Sequence, residues 1–134
     1  MTVQLSTSVR NARLDSVEST MGTSAKLQIR TGAQPANCAA ADSGSLLCEI
    51  TVPSDFMAAA SSGSKALSGT WQASASGTGT AGHFRFKDNA GTTTHIQGSI
   101  TATGGGGDMT VDNTSVASGQ TITISTFTLT DGNA

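Results

Sequence analysis

The sequence predicts an all-β fold in the main, an antiparallel β-sandwich or jelly-roll-like domain that carries one N-terminal α-helix. Three observations predict it. Only the first segment repeats its apolar residues at helical spacing, and after Gly22 the period drops to 2. Strand-forming runs are then separated at short intervals by clusters of Gly, Pro, Asn, Asp and Ser. Strand–helix alternation is missing, which argues against a parallel sheet.

Thr7 or Ser8 is placed to cap a helix running to Met21, with Gly22 as its C-terminal stop. Leu5, Val9, Ala12, Val17 and Met21 form an apolar stripe, with Arg10, Asn11, Asp15 and Glu18 mostly elsewhere. The stripe either packs on its own domain or docks on a neighbouring subunit. Residues 1–22 are thus read as a helical arm and 23–134 as the β-sandwich, together one compact domain.

Leu27 and Ile29 alternate with Lys26, Gln28 and Arg30, the pattern of a half-buried strand. Thr31 to Ser45 is a turn-rich stretch longer than most connections in compact domains, which marks it as a contact arm. Leu46 to Val52 is the next strand. Pro53 to Ala60 is a turn or short helical segment anchored by Phe56 and Met57, followed by a loop at Ser61 to Ser64.

Four further strands are expected at Ala66–Ala75, Gly82–Lys87, Thr93–Thr103 and Asp108–Asp112. Phe84 and Phe86 point one way; His83, Arg85 and Lys87 point the other. Asp88-Asn89-Ala90-Gly91 is a tight-turn sequence that joins its flanking strands as a hairpin. Gly104 to Gly107 is a connection. Gln120 to Thr130 closes the chain, and the phase slip between Ile122/Ile124 and Phe127/Leu129 predicts a bulge or a change of sheet near Ser125 or Thr126.

Charged residues make up 12% of the chain, about half the usual share, and the formal net charge is −2. The seven Lys and Arg are dispersed, whereas nucleic-acid binding needs them clustered, so no direct nucleic-acid partner is expected. No apolar run approaches the roughly 18 residues of a membrane span, and no membrane partner is expected. Met1 to Leu5 shows no basic segment before an apolar run, so synthesis in the cytoplasm without a secretory signal is the expectation. Cys38 and Cys48, lacking a CxxC or a nearby His, are expected to be free structural thiols, and no cofactor or metal is implied.

The strings that suggest chemistry lack their context. Gly77-Thr-Gly-Thr-Ala-Gly82 matches GxGxxG, but a strand-like segment follows where a helix N-terminus must face the pyrophosphate. Ser62-Gly-Ser-Lys65 matches SxxK without the companion SDN and KTG motifs. His83 and His95 have no GxSxG elbow to serve, and a metal site with Asp88 or Asp108 is the weaker reading beside ordinary strand residues. Trp71 alternates with polar neighbours and is expected in the core. A non-enzymatic binding protein is therefore expected.

Leu27-Gln-Ile-Arg-Thr-Gly-Ala33, Pro35-Ala-Asn-Cys-Ala-Ala-Ala-Asp42, Pro53-Ser-Asp-Phe-Met-Ala-Ala-Ala60, Gly82-His-Phe-Arg-Phe86, Thr101-Ala-Thr-Gly-Gly-Gly-Gly-Asp108 and Thr128-Leu-Thr-Asp131 together resemble small virion proteins of tailed bacteriophages and prophages. The resemblance implies a capsid decoration (cement) protein on the virion surface. Its partners would be the major capsid protein and further copies of itself, as a dimer or trimer. The alternative is a tail-associated or receptor- or carbohydrate-binding β module; a small hydrolase comes third. The expected contacts are Leu5, Val9, Arg10, Arg13, Val17 and Met21 on the helix and Gln34, Pro35 and Asn37 in the long loop. On this view, deleting residues 1–22 abolishes capsid binding.

Overall fold

The computed structural model describes residues 3–133. Its helix, α1 (Thr7–Met21), is capped by Ser6, whose Oγ accepts the Val9 N–H at 3.3 Å. The cap lies one residue before the expected pair. Gly22, at φ 76°, ends the helix and donates its N–H to the Glu18 carbonyl at 3.0 Å.

Ten strands follow: β1 (Lys26–Thr31), β2 (Leu46–Thr51), β3 (Ser64–Ala66), β4 (Trp71–Ser74), β5 (Gly79–Lys87), β6 (Thr94–Ala102), β7 (Met109–Val111), β8 (Ser115–Val116), β9 (Thr121–Ile124) and β10 (Thr128–Thr130). The main sheet runs β2-β1-β5-β6-β7, and β8 pairs with the start of β5. The β5–β6 hairpin turns at Asp88 to Gly91, as its sequence predicts. The fold is mainly β with one N-terminal helix.

A flat two-sheet sandwich is not what encloses the core. The expected strand at 120–130 is broken into β9 and β10, and the one at 66–75 is reduced to β4, with β3 (Ser64–Ala66) starting in the expected loop. They pair as two short ribbons, β3 with β10 and β4 with β9. The phase slip at Ser125 and Thr126 is the point where the chain leaves one ribbon for the other. β4 lies against β2, and β9 lies against β7, so the curled sheet has both edges met by the same ribbon. One pairing is also parallel, β6 with β7. Parallel neighbours normally need a dozen or more connecting residues. Here six suffice (103–108), because Gly104 and Gly106 take φ of +87° and +81° and double the chain back.

Leu27, Ile29, Phe84 and Phe86 face inward to Trp71, Ile122, Ile124 and Phe127 in a single core. All four Phe and the one Trp belong to it. Trp71 meets Phe86 edge-on at 5.3 Å, and Phe84 meets Phe127 edge-on at 5.6 Å. The indole N–H is satisfied inside, donating to the Phe56 and Ser68 carbonyls at 3.1 Å each. Phe56 and Met57 are the buried anchors expected of their segment, which forms a bend and an isolated bridge from Met57 to Leu67 and not a helix.

The helix packs on its own domain, through a seam that shares Val17 and Met21 with the expected stripe and adds Leu14. Leu14 and Met21 are buried and Val17 is half-buried against the core, whereas Ala12 and Val9 (46% exposed) face outward. Beside them runs a polar row. The side-chain oxygens of Asn11, Asp15 and Glu18 accept backbone N–H groups from Gly63, Ala60 and Met57. Lys65, 3% exposed, donates to Asp15 at 2.8 Å, stands 3.1 Å from Glu18 and also donates to the Ala58 carbonyl. At the other end Arg13 pairs with the Asp131 carboxylate at 3.1 Å, and Arg10 donates to the Asp131 carbonyl. The helix is stitched to the domain.

Candidate functional site

In β5 the alternation is real, but both of its faces are covered. His83, Arg85 and Lys87 point away from the aromatic core and are nonetheless buried, with Arg85 only 1% exposed. The segment between β1 and β2 covers them, the long stretch expected to be a contact arm. Its two ends are tied first. The Thr31 N–H donates to the Ser45 carbonyl, the Ser45 N–H to the Thr31 Oγ1, and His83 Nδ1 sits 2.9 Å from the Gly32 carbonyl oxygen.

Its middle is held by charge. Asp42 receives three cations: Arg85 at 2.6 Å on one oxygen, Lys87 at 2.6 Å and Arg30 at 3.2 Å on the other. Arg85 does more than pair. Its guanidinium also donates to the Ala40, Asn37 and Cys38 carbonyls at 3.0, 3.3 and 2.9 Å, fixing the loop backbone from beneath. Gln97 on β6 reaches the Pro35 carbonyl at 2.7 Å. Asn37 folds the tip on itself, its side-chain oxygen accepting the Ala39 and Ala40 N–H groups. Burial alone would raise the Asp42 pKa, but the hydrogen bonds from Lys87 and Arg85 and the charge of Arg30 outweigh it and hold the carboxyl below its ordinary value.

The long segment is therefore tied down along its length by side chains of β1, β5 and β6. What it presents outward is small and mostly uncharged: Gln34, Ala36, Asn37, Ala39 and Ala41 are exposed, and Pro35 is half-buried. Beside it, between residues 38–42 and the Thr92–Thr94 end of the β5–β6 hairpin, lies a groove of about 590 Å³ lined also by Arg85 and Lys87.

The expected contact residues divide. Gln34 and Val9 are open to a partner, and so is Arg13 beyond its ion pair. Asn37 spends its side-chain oxygen on its own turn, and Pro35 spends its carbonyl on Gln97. Leu5 and Arg10 are half-buried against the C-terminal segment, where Leu5 N–H donates to the Asn133 carbonyl. Val17 packs on the core and Met21 is buried in it, so neither offers a surface; the three-to-four spacing also fits burial at home. Arg30, Asp42, Arg85 and Lys87, which organise the site, were not among the expected residues. Their signal was there as a set of cations on alternate strand positions with one acid in the overlong loop.

The enzyme-like strings have structural occupations. Lys65 of the SxxK string is the cation of the helix seam. In the GxGxxG string, Gly77 and Gly82 stand where backbones nearly touch: a Cβ on Gly82 would lie 2.2 Å from the Gly32 carbonyl oxygen. His83 is wholly buried. Among the described residues no cluster of His, Cys, Asp and Glu is arranged to hold a metal, and no helix is long and apolar enough to cross a membrane. Cys38 and Cys48 are both free; burial, then the neighbouring Glu49 charge, pushes the Cys48 thiol up. Comparison of the chain with protein-family models, with curated proteins and with solved structures finds no match.

Proposed function

We propose that this chain is a bacteriophage structural protein that decorates the capsid, binding neighbouring major capsid subunits through the segment between β1 and β2 and the outer face of α1. The observation that carries the reading is the clasp: three cations from two strands hold one loop in a fixed shape. A loop ordered beforehand loses little entropy when a partner docks, which is how a small surface of modest chemistry binds firmly. Small uncharged side chains at its crest allow close backbone approach to a flat shell. Copies around a local symmetry axis would meet as dimers or trimers. The alternative, a sugar-binding tail module, has less support, because every Phe and Trp is committed to the core and none is left to stack on a ring.

The test is decoration of undecorated phage heads by the purified protein, read by electron microscopy. Density on the head lattice is expected, with occupancy lowered at least about tenfold by the paired surface changes Gln34→Asp and Ala36→Asp, a loss on the scale of an interface hot spot. Both positions are exposed, so the fold is retained. Density confined to the tail would move the protein to the alternative. Deleting residues 1–22 is a poor test: it would strip Leu14 and Met21 from the interior and leave Lys65 buried without its carboxylates.

A further inference from the structure

We infer that the groove between residues 38–42 and Thr92–Thr94 is an oxyanion site, built to take a carboxylate or a phosphate group. Lys87 is its principal donor. The side chain is 6% exposed, yet its ammonium donates to one acceptor only, Asp42, among the described residues. An ammonium carries three N–H donors, so two remain for a ligand. Arg85 lines the same groove, with its Nε buried and unpartnered. The hydroxyls of Thr93 and Thr94 on the hairpin side add neutral donors without adding charge.

The local field has the right sign, against the trend of the chain. The molecule is negative overall, at −2. Yet Lys26, Arg30, Arg85 and Lys87, four of its seven Lys and Arg, stand on this one face of β1 and β5. Their nearby carboxylates are Asp42 in the loop, Glu49 bonded to Gln28, and Asp88, which accepts the Thr92 and Thr93 N–H groups. Within the groove lining itself Arg85 and Lys87 face one carboxylate, Asp42, which leaves a positive charge at a partly enclosed place where it acts more strongly than at an open surface. Cations gathered solely to hold Asp42 would not require the excess.

The inference stands on these side chains alone; a capsid acidic residue as the natural ligand would rest on the proposed function as well. The experiment is an amide NMR titration of the intact protein with inorganic phosphate, and separately with a short capped peptide of Asp and Glu. Chloride at matched ionic strength is the reference. Saturable shifts are expected at residues 39–42 and 92–94, lost in Lys87→Gln. Thr93→Val should weaken binding about fivefold, the worth of one neutral hydrogen bond. Thr93 is exposed and its hydroxyl makes no bond to a described residue, so this variant decides the matter even if Lys87→Gln unfolds. Shifts that grow linearly and equally with chloride would overturn the site. Tighter binding of the peptide assigns it to a protein carboxylate; tighter binding of phosphate assigns it to a phosphate ligand. Either is independent of whether the protein decorates heads.

Discussion

At the scale of single residues, Asp42 is where charge and shape meet. It is the one carboxylate for three cations drawn from β1 and β5. Replacing it by Asn leaves Arg85 buried with its carbonyl partners but no counter-charge. Breaking a buried pair costs about 3–5 kcal/mol, and the partial exposure of Asp42 reduces the expectation to about 2 kcal/mol. The pH dependence follows from the lowered pKa. A carboxyl whose folded pKa lies below its unfolded value contributes its stability above the unfolded value, and loses it as pH falls through the folded one. In urea denaturation the gap between wild type and Asp42→Asn should hold constant from neutral pH to about pH 5. It should then close only below the ordinary carboxylate value of 3.8. A gap unchanged at the acid end would mean that Asp42 acts through packing and not through charge. Gly82 is a second decisive residue. Its hypothetical methyl would meet the Gly32 carbonyl oxygen at 2.2 Å, a backbone atom that cannot swing aside. Gly82→Ala should destabilise by about 1–3 kcal/mol, as overpacking does. Gly91→Ala is the useful comparison: space is open there, and only its φ of +71° is at stake.

At the scale of elements, α1 shows how far spacing reaches. The helix and its terminator were legible because a run of capping residues, a period of 3.6 and a glycine agree, although the cap itself is Ser6 and not Thr7 or Ser8. Its inward face was not, because half of that face is polar. Asn11, Asp15 and Glu18 look like solvated residues until Gly63, Ala60, Met57 and Lys65 are brought beneath them from about forty to fifty residues away. The same holds for β5. Its alternation was readable, but a cation buried by a loop and a cation facing water have the same pattern along the strand. The breaks in the ribbons were half legible, since the shift of phase at Ser125 marked one and nothing marked its partner at Leu67 to Thr70. In the seam itself, burial alone would lower the Lys65 pKa, but the hydrogen bonds it donates to Asp15 and Glu18, and their charges, outweigh it and hold the ammonium above its ordinary value. A raised cation contributes its stability below the unfolded pKa and loses it as pH rises through the folded one, so the Lys65 contribution fades on the alkaline side. Asp15, held below its ordinary value by the Lys65 hydrogen bond, loses its own at the acid end. Lys65→Ala should cost about 2 kcal/mol, the low end for a broken buried pair because Asp15 is half exposed. Hydrogen exchange checks the location: α1 amides should lose protection before those of β1 and β5. Equal loss across helix and sheet would place the role of Lys65 in the core instead.

At the scale of the whole molecule, the clasped loop and the stitched helix serve one arrangement. A curled sheet with aromatic residues on its inner face needs both of its open sides closed. The two ribbons and α1 close the core side, and the Arg85–Asp42 clasp closes the other. These closures are linked in the chain. The strand that carries Lys65 pairs with β10, β10 leads directly to Asp131, and Asp131 holds Arg10 and Arg13 of the helix. Leu67, next to β3, donates its backbone N–H to the carbonyl of Phe127 in the core. Helix, ribbons and core should therefore unfold together. Trp71 and the helix supply two separate probes, since the indole is buried at the centre and α1 is the only α-helix among the described residues. Indole fluorescence and far-ultraviolet helical dichroism should trace the same urea transition with the same midpoint. An independent arm of residues 1–22 would instead lose its helical signal at lower urea while Trp71 stayed buried. That result would return α1 to the role of a detachable contact element and leave the clasped loop to bind alone.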